Sequence, residues 1–349
     1  MPRVIVLVQG KIKELWISGS SMKALVLAPF HHQALDRLGK SIEVIYKSWM
    51  ETNRLLSPEE MVERIQNQDI AVLVVEADFV FDEVFEGSDR LRFIGVCRAA
   101  TNHVDLDSAT DHGVLVVNTP ARNAIAVAEL AVGLMLSIAR RIPNAHDFIK
   151  SGQWVDPFSA YLSLRGVELG GKVAGIVGLG AIGREVAKRL SAFDMELLAY
   201  DPYVTLEQAA QSGVKKTDLD DLIKKADFIT VHCPLSPETT GLISSKRIGM
   251  MKPTAYLVNT AAWEVVDNEA LIGTLERRGI AGAAFDVYET HPLSLESALL
   301  KLDNVVLTPH IGGATEDTVA RYSKMIVEDI ERFLLGKRPH NLVNHQAWK

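Results

Sequence analysis

The sequence predicts an α/β protein made of two doubly wound parallel sheets. Short β-branched runs alternate with helical stretches, and such alternation implies parallel strands joined by right-handed crossovers. The alternation comes as two series, one after Met22 and one after Lys172. The length of 349 residues also corresponds to about two domains.

The elements follow in order. Residues 1–21 read as an N-terminal extension without a catalytic role, joined flexibly through Gly19, Ser20 and Ser21. The other reading there is an extra edge strand over Val4–Val8. Met22 opens the run Met-Lys-Ala-Leu-Val-Leu-Ala-Pro, which reads as the true first strand. Strands of the first series are expected at Ala24–Leu27, Ile42–Tyr46, Ile70–Val75, Phe93–Cys97 and Val114–Val117, with a helix over Pro58–Asn67. The stretch Asn123–Arg140 is apolar nearly all round and reads as a buried helix, part of it in a subunit interface. The second series predicts strands at Val173–Val177, Glu196–Tyr200, Phe228–His232, Ala255–Asn259, Gly282–Phe285 and Val305–Thr308. Helices are expected over Gly183–Phe193 and Asn268–Arg278, and a last one over Asp317–Leu335.

Composition removes several classes of function. Apolar residues are 48% and charged residues 23%, which excludes disordered and fibrous classes. The net charge is −7, with no basic stripe, so no nucleic-acid partner is expected. Cys97 and Cys233 lie far apart, and no Cys/His pattern has metal spacing. Neither a disulfide framework nor a metal site is expected, and a reducing cytoplasm is the natural setting. The most apolar run, Ile125–Ala139, is too short to span a membrane and carries Glu129. Val4–Val8 is too short for a signal segment.

The sharpest motif is Gly178-Leu-Gly180-Ala181-Ile182-Gly183. It follows an apolar strand and opens a helix, and Asp201 stands 18 residues beyond Gly183. Gly178 permits a tight turn, Gly180 lets backbone approach a pyrophosphate, and Gly183 lets helix and strand pack closely. The helix N-terminus offers unpaired N–H groups to phosphates. Asp201 suits ribose hydroxyls and repels a 2′-phosphate, and Pro202-Tyr203-Val204-Thr205 brings no cation. The cofactor expected is therefore NAD rather than NADP.

Further blocks are Ala100-Thr-Asn-His-Val-Asp-Leu106, Asn118-Thr-Pro120, Ala126-Val-Ala-Glu129 and Tyr200-Asp-Pro-Tyr203. Then come His232-Cys-Pro-Leu-Ser-Pro-Glu-Thr239, Met251-Lys-Pro253, Asn259-Thr-Ala261, Ala283-Ala-Phe-Asp286 and Leu307-Thr-Pro-His-Ile-Gly-Gly313. In this order the chain resembles the D-2-hydroxyacid dehydrogenases that include phosphoglycerate dehydrogenase, over most of Met22–Asn344. The resemblance implies a Rossmann NAD-binding domain, 122–310, inserted into a flavodoxin-like substrate domain, 22–121 and 311–349. It implies an active site in the cleft, hinges at Pro120 and His310, and a homodimer or tetramer. The reaction implied is hydride transfer between NAD(H) and C2 of a small 2-hydroxy or 2-keto acid.

The resemblance also assigns residues. His310 matches the acid/base histidine, and imidazole suits that work near neutral pH. Arg98, Ala99 and Ala100 match the loop that grips the substrate. Asp286 would bind the nicotinamide carboxamide. His232, Cys233, Pro234, Thr239, Thr260, Ala261, Pro202 and Gly313 would line the cofactor; for Cys233, plain packing is an equal reading. Trp263 would cap the cleft or pack on the helix near Asn268.

Two positions depart from the family. Its Asn-Thr-Ala-Arg-Gly is here Asn259-Thr260-Ala261-Ala262-Trp263, so Ala262 replaces the arginine that holds the substrate carboxylate. Its orienting Glu is His291. Glu289 could supply a carboxylate, and Arg98, or less directly Arg122, a cation. Three readings stay open: a dehydrogenase with a reorganised site, an NAD(H)-binding regulatory or interaction protein with little turnover, and an impaired enzyme in which Ala262, with or without His291, is an introduced replacement.

Overall fold

A computed structural model describes residues 3–8, 11–16 and 22–348. The chain divides into two compact units, one of residues 1–122 with 315–349, the other of residues 123–314.

The first unit holds five parallel strands: β3 (Lys23–Val26), β4 (Glu43–Tyr46), β5 (Ile70–Val75), β6 (Phe93–Val96) and β7 (Leu115–Val117). Their order is β4-β3-β5-β6-β7, the flavodoxin-like doubly wound arrangement. β5 and β6 are buried at every position, which is why they read as unbroken apolar runs. The helix Pro58–Gln68 starts at a capping box, with Ser57 receiving the Glu60 N–H and Glu60 returning to Ser57. The helix Glu316–Leu334 returns to this unit and seals one face through Tyr322, Ile326, Ile330 and Phe333. Gly95 lies opposite Ile326, whose Cγ2 would be 3.0 Å from an added Cβ, so a side chain there would have to displace Ile326.

Two further strands, β1 (Arg3–Val8) and β2 (Lys11–Trp16), pair antiparallel as a separate two-stranded sheet. Val4–Val8 is therefore a strand but not an edge of either parallel sheet. The joint expected at Gly19–Ser21 lies outside the described residues.

The second unit holds seven parallel strands: β8 (Val173–Val177), β9 (Glu196–Tyr200), β10 (Lys215–Lys216), β11 (Phe228–Val231), β12 (Tyr256–Asn259), β13 (Gly282–Phe285) and β14 (Val305–Leu307). The order is β10-β9-β8-β11-β12-β13-β14, so the strand order reverses between β8 and β11, the switch point where such sheets bind ligands. β10 has two residues and no apolar pattern, which is why the sequence does not announce it. The helix Ala124–Ala139 buries ten of its 16 residues against this sheet. No helix among the described residues is long and apolar enough to cross a membrane.

The unit boundary after Ala314 falls later than the expected one at 310/311. The Asp286 carboxylate holds the N–H groups of Ile311 and Gly312, which ties that segment to the second unit.

Candidate active site

The C-terminal ends of the second unit's strands gather most of the residues singled out above. β8 runs directly into Gly178, whose φ of +93° belongs to the left-handed region that favours glycine. An added Cβ there would stand 2.6 Å from the backbone N of Cys233, so the turn lies tight against the end of β11. At Gly183 a Cβ would meet the Gly178 carbonyl O at 2.1 Å. At Gly180 it would meet nothing within 4 Å. Two glycines are thus demanded by packing, and the middle one leaves open space over the first turn of the helix Ala181–Leu190. That opening fits a pyrophosphate.

Asp201 follows β9. One carboxylate oxygen accepts the Leu179 N–H at 2.8 Å and the other the Tyr203 N–H at 2.9 Å. It therefore braces the glycine turn, and each oxygen keeps acceptor capacity for a ribose hydroxyl.

The loops after β13 and β14 are clamped together by three side chains of the first. Asp286, 2% exposed, accepts Thr308 Oγ1 at 2.6 Å, the Ile311 N–H at 2.9 Å and the Gly312 N–H at 2.7 Å. Tyr288 Oη donates to the Thr308 carbonyl at 2.8 Å. Burial pushes that phenol up to about 12, so it remains a donor. His291 Nε2 lies 2.8 Å from His310 Nδ1, with the ring centroids 4.8 Å apart. His310 itself is held at φ +56°, uncommon for a side-chain-bearing residue. Such strain persists where neighbours over-determine it.

Several expected roles change. The acceptors of Asp286, the residue expected to bind a carboxamide, are directed to the Thr308–Gly312 segment, because three donors converge on a buried carboxylate. Glu289 is exposed and lines a surface hollow with Trp263, Glu269 and Glu276, while the ring partner of His310 is His291. Thr239 closes its own loop: Oγ1 donates to the Pro234 carbonyl at 2.7 Å and accepts the Ser236 N–H at 2.7 Å. Pro234 and Pro202 are both exposed, Pro202 at the turn after Asp201. Trp263 packs on Phe285 and Tyr288, with centroids 5.9 and 6.4 Å away. Asn259 shapes the Ala261–Ala262 turn, accepting the Ala261 N–H and donating to the Ala262 carbonyl. Ala262 thus keeps a hydrogen-bonded backbone and presents only a methyl. Gly313 sits beside Asn123, whose Nδ2 would be 3.2 Å from an added Cβ.

His232 is buried between Thr230 Oγ1 at 2.8 Å and Thr260 Oγ1 at 3.4 Å. Burial lowers its pKa from 6.5 to about 3, so the folded protein keeps it neutral. The unfolded chain would take up a proton below about 6.5. Between these values the unfolded state binds more protons, so stability falls with falling pH, by up to about 1.4 kcal/mol per unit. Denaturant titrations from pH 7 to 4 should show this slope, and His232→Gln should flatten it. Burial also pushes the Cys233 thiol up to about 11, so it stays protonated at neutral pH.

In the first unit, Arg98 and the neighbouring Ala99 and Ala100 are exposed after β6. The Arg98 carbonyl accepts the Thr119 N–H and the Ala99 carbonyl accepts Asn118 Nδ2. No carboxylate pairs with Arg98 among the described residues. Arg122 is committed elsewhere: it pairs with Glu76 at 3.1 Å and lies over the Tyr322 ring at 5.1 Å. No cluster of three or more His, Cys, Asp or Glu side chains suited to a metal occurs among the described residues. Tyr288 and Thr308 were missed by sequence reasoning, although both stand inside the Asp286–His291 and Leu307–Gly313 blocks.

Residues 132–312 match the family described as D-isomer specific 2-hydroxyacid dehydrogenase, NAD binding domain. Among curated relatives, a D-3-phosphoglycerate dehydrogenase of Archaeoglobus fulgidus is 40% identical over 93% of this chain and 59% of its own length. The chain thus spans little more than half of that relative. A glyoxylate reductase of Thermofilum pendens is 42% identical over 84% of this chain and 86% of its own. A crystal structure of a protein from Thermus thermophilus superposes with a TM-score of 0.81 at 33% identity, covering 92% of this chain and all of that one.

Proposed function

Because the chain belongs to the D-isomer specific 2-hydroxyacid dehydrogenase family, we propose that it transfers hydride reversibly between NAD(H) and C2 of a D-2-hydroxy or 2-keto acid. The observation that carries this reading is the His291–His310 pair, clamped at the same sheet edge as the glycine turn. The bound nicotinamide supplies or accepts the hydride.

In this reading His310 turns Nδ1 to His291, 2.8 Å away, and exchanges the substrate proton at Nε2. In reduction, the imidazolium gives its Nε2 proton to the carbonyl oxygen while Nδ1–H continues to donate to a neutral His291. In oxidation, Nε2 takes the hydroxyl proton back. Asp286 and Tyr288 fix the backbone on either side of His310, so the ring position is set before substrate arrives. Ala262 supplies no carboxylate clamp, and Arg98 takes that role in this reading.

The test is NADH oxidation over a panel of 2-keto acids, with Arg98→Ala run in parallel. Turnover with a raised KM in the variant supports the assignment. Bound NADH with no turnover on any acid would remove it.

Asp201 makes NADH the preferred cofactor, since a 2′-phosphate would meet a carboxylate already held by two N–H groups. The ratio of kcat/KM for NADH over NADPH is expected to be about 100 or more, equivalent to ~2.7 kcal/mol. A ratio near one would contradict it.

A homodimer is part of the same proposal. Ile149, Trp154, Val155, Phe158, Tyr161 and Leu162 are each more than half exposed and close together in sequence, an apolar surface suited to a second copy. Sedimentation should give twice the 38.4 kDa chain mass, and Trp154→Asp with Phe158→Asp should give one chain mass.

A further inference from the structure

Arg98, Ala99 and Ala100 are exposed and belong to no helix or strand, so the turn they form takes its support from outside itself. That support comes from the end of β7. The Thr119 N–H donates to the Arg98 carbonyl at 3.0 Å, and Asn118 Nδ2 donates to the Ala99 carbonyl at 2.7 Å. Buried Thr119 also donates from Oγ1 to the Val96 carbonyl at 3.3 Å. Two consecutive carbonyls are thereby pinned by two consecutive residues. Both peptides are trans, the cis bond among the described residues being His291-Pro292. In a trans peptide the N–H points opposite to the C=O. The Ala99 and Ala100 N–H groups therefore turn away from residues 118 and 119, and neither has an acceptor among the described residues. Successive N–H donors of this kind suit an anionic oxygen.

Asn118 is itself fixed from behind. Its N–H donates to the Asn341 carbonyl at 3.1 Å. Asn341 is held in turn by Asp329, a fully buried residue of the helix Glu316–Leu334. The Asp329 carboxylate accepts the Asn341 N–H at 3.2 Å, Asn341 Nδ2 at 2.8 Å and the His340 N–H at 2.5 Å. Leu342 bridges Val117 antiparallel, and the Val343 N–H donates to the Val116 carbonyl at 2.8 Å. Hydrogen bonds to an ionised acceptor are the strong ones, so the anchor behind Asn118 is firm. All these residues belong to the first unit.

On the reading that the Arg98–Ala100 loop receives the substrate carboxylate, we propose that Asn118 is a positioning residue for substrate binding. Its side-chain amide sets the plane of the Ala99–Ala100 peptide, and with it the donors offered to that carboxylate. Thr119 holds the neighbouring peptide by a backbone N–H that most substitutions would keep. Asn118 holds its peptide by a side chain, so residue type at 118 controls the loop. Ala262 brings no guanidinium, which leaves more of the carboxylate's binding to this turn. The Ala99 carbonyl belongs to an exposed residue, so water can replace a lost donor and folding does not depend on the bond.

The test is oxamate binding to the NADH-saturated protein, read by NADH fluorescence, beside steady-state reduction of the best-used 2-keto acid. Oxamate has the shape of a 2-keto acid and accepts no hydride, so its binding needs no turnover. Asn118→Ala is expected to weaken oxamate about tenfold and to raise KM by a similar factor. NADH affinity and Tm should be unchanged, and kcat should stay within about threefold. Asn118→Asp keeps the shape without the donor and should lose at least as much. Unchanged oxamate affinity and KM in either variant would overturn the proposal and leave the dehydrogenase reading standing. Parallel losses of NADH affinity, kcat and Tm would make Asn118 a general structural residue and overturn it too. A parent chain that binds NADH, yet binds no oxamate and reduces no 2-keto acid, would remove the dehydrogenase reading and the proposal with it.

Discussion

Replacing His310 by alanine is expected to lower kcat for 2-keto-acid reduction by about 10²–10⁴-fold, the usual contribution of a positioned acid/base. NADH affinity should change little, because the glycine turn and Asp201 do not rest on the imidazole. Stopped-flow single turnover with saturating NADH would read the chemical step directly. A loss below tenfold would show that another group donates the proton. The partner ring sharpens the test. His291 Nε2 lies 2.8 Å from His310 Nδ1, and in the proposed mechanism it is the acceptor of the Nδ1 proton. A carboxylate at that position would stabilise the imidazolium by charge as well as by hydrogen bond. His291→Glu is therefore expected to move the alkaline limb of the reduction profile upward by about one unit or more. His291→Gln keeps a neutral acceptor and should leave the limb in place.

The second large effect concerns the glycine turn, where two glycines should fail in different ways. Gly183→Ala forces a Cβ to 2.1 Å from the Gly178 carbonyl, so the strand–helix joint must open. The expected cost is about 1–3 kcal/mol of stability, with loss of nucleotide affinity as a consequence. Gly180→Val meets no protein atom within 4 Å and keeps an ordinary φ of −75°. Its melting temperature should be unchanged while NADH affinity falls about 100-fold, some 2.7 kcal/mol. Fluorescence titration with NADH beside a thermal melt separates the two. Tight NADH binding by Gly180→Val would mean that no phosphate approaches there.

Much of the fold was legible because it is local. Ile70–Val75, Val173–Val177, Glu196–Tyr200 and Gly282–Phe285 are strands over the same residues that their apolar runs marked, since strands buried on both faces leave no polar register to misread. The helix Ala124–Ala139 announced its burial by being apolar nearly all round. β10 did not announce itself, because two lysines at a sheet edge carry no pattern. The antiparallel pairing of β1 with β2 depended on a partner that a single run cannot specify.

The candidate site divides the same way. Sequence alone determined the alternation that makes two parallel sheets, the glycine turn with its acid at the next strand end, and the alanine and histidine at positions 262 and 291. These are statements about spacing and residue type, which the chain carries in itself. Only tertiary structure decided what those groups touch. Asp286 turned to the loop 22–26 residues further on, Thr239 turned inward, and His291 came to His310 across 19 residues. Each outcome follows from which donors converge on a buried acceptor once strands β13 and β14 lie side by side. Hydrogen-bond satisfaction in a water-poor loop is a property of that convergence, and no local period encodes it.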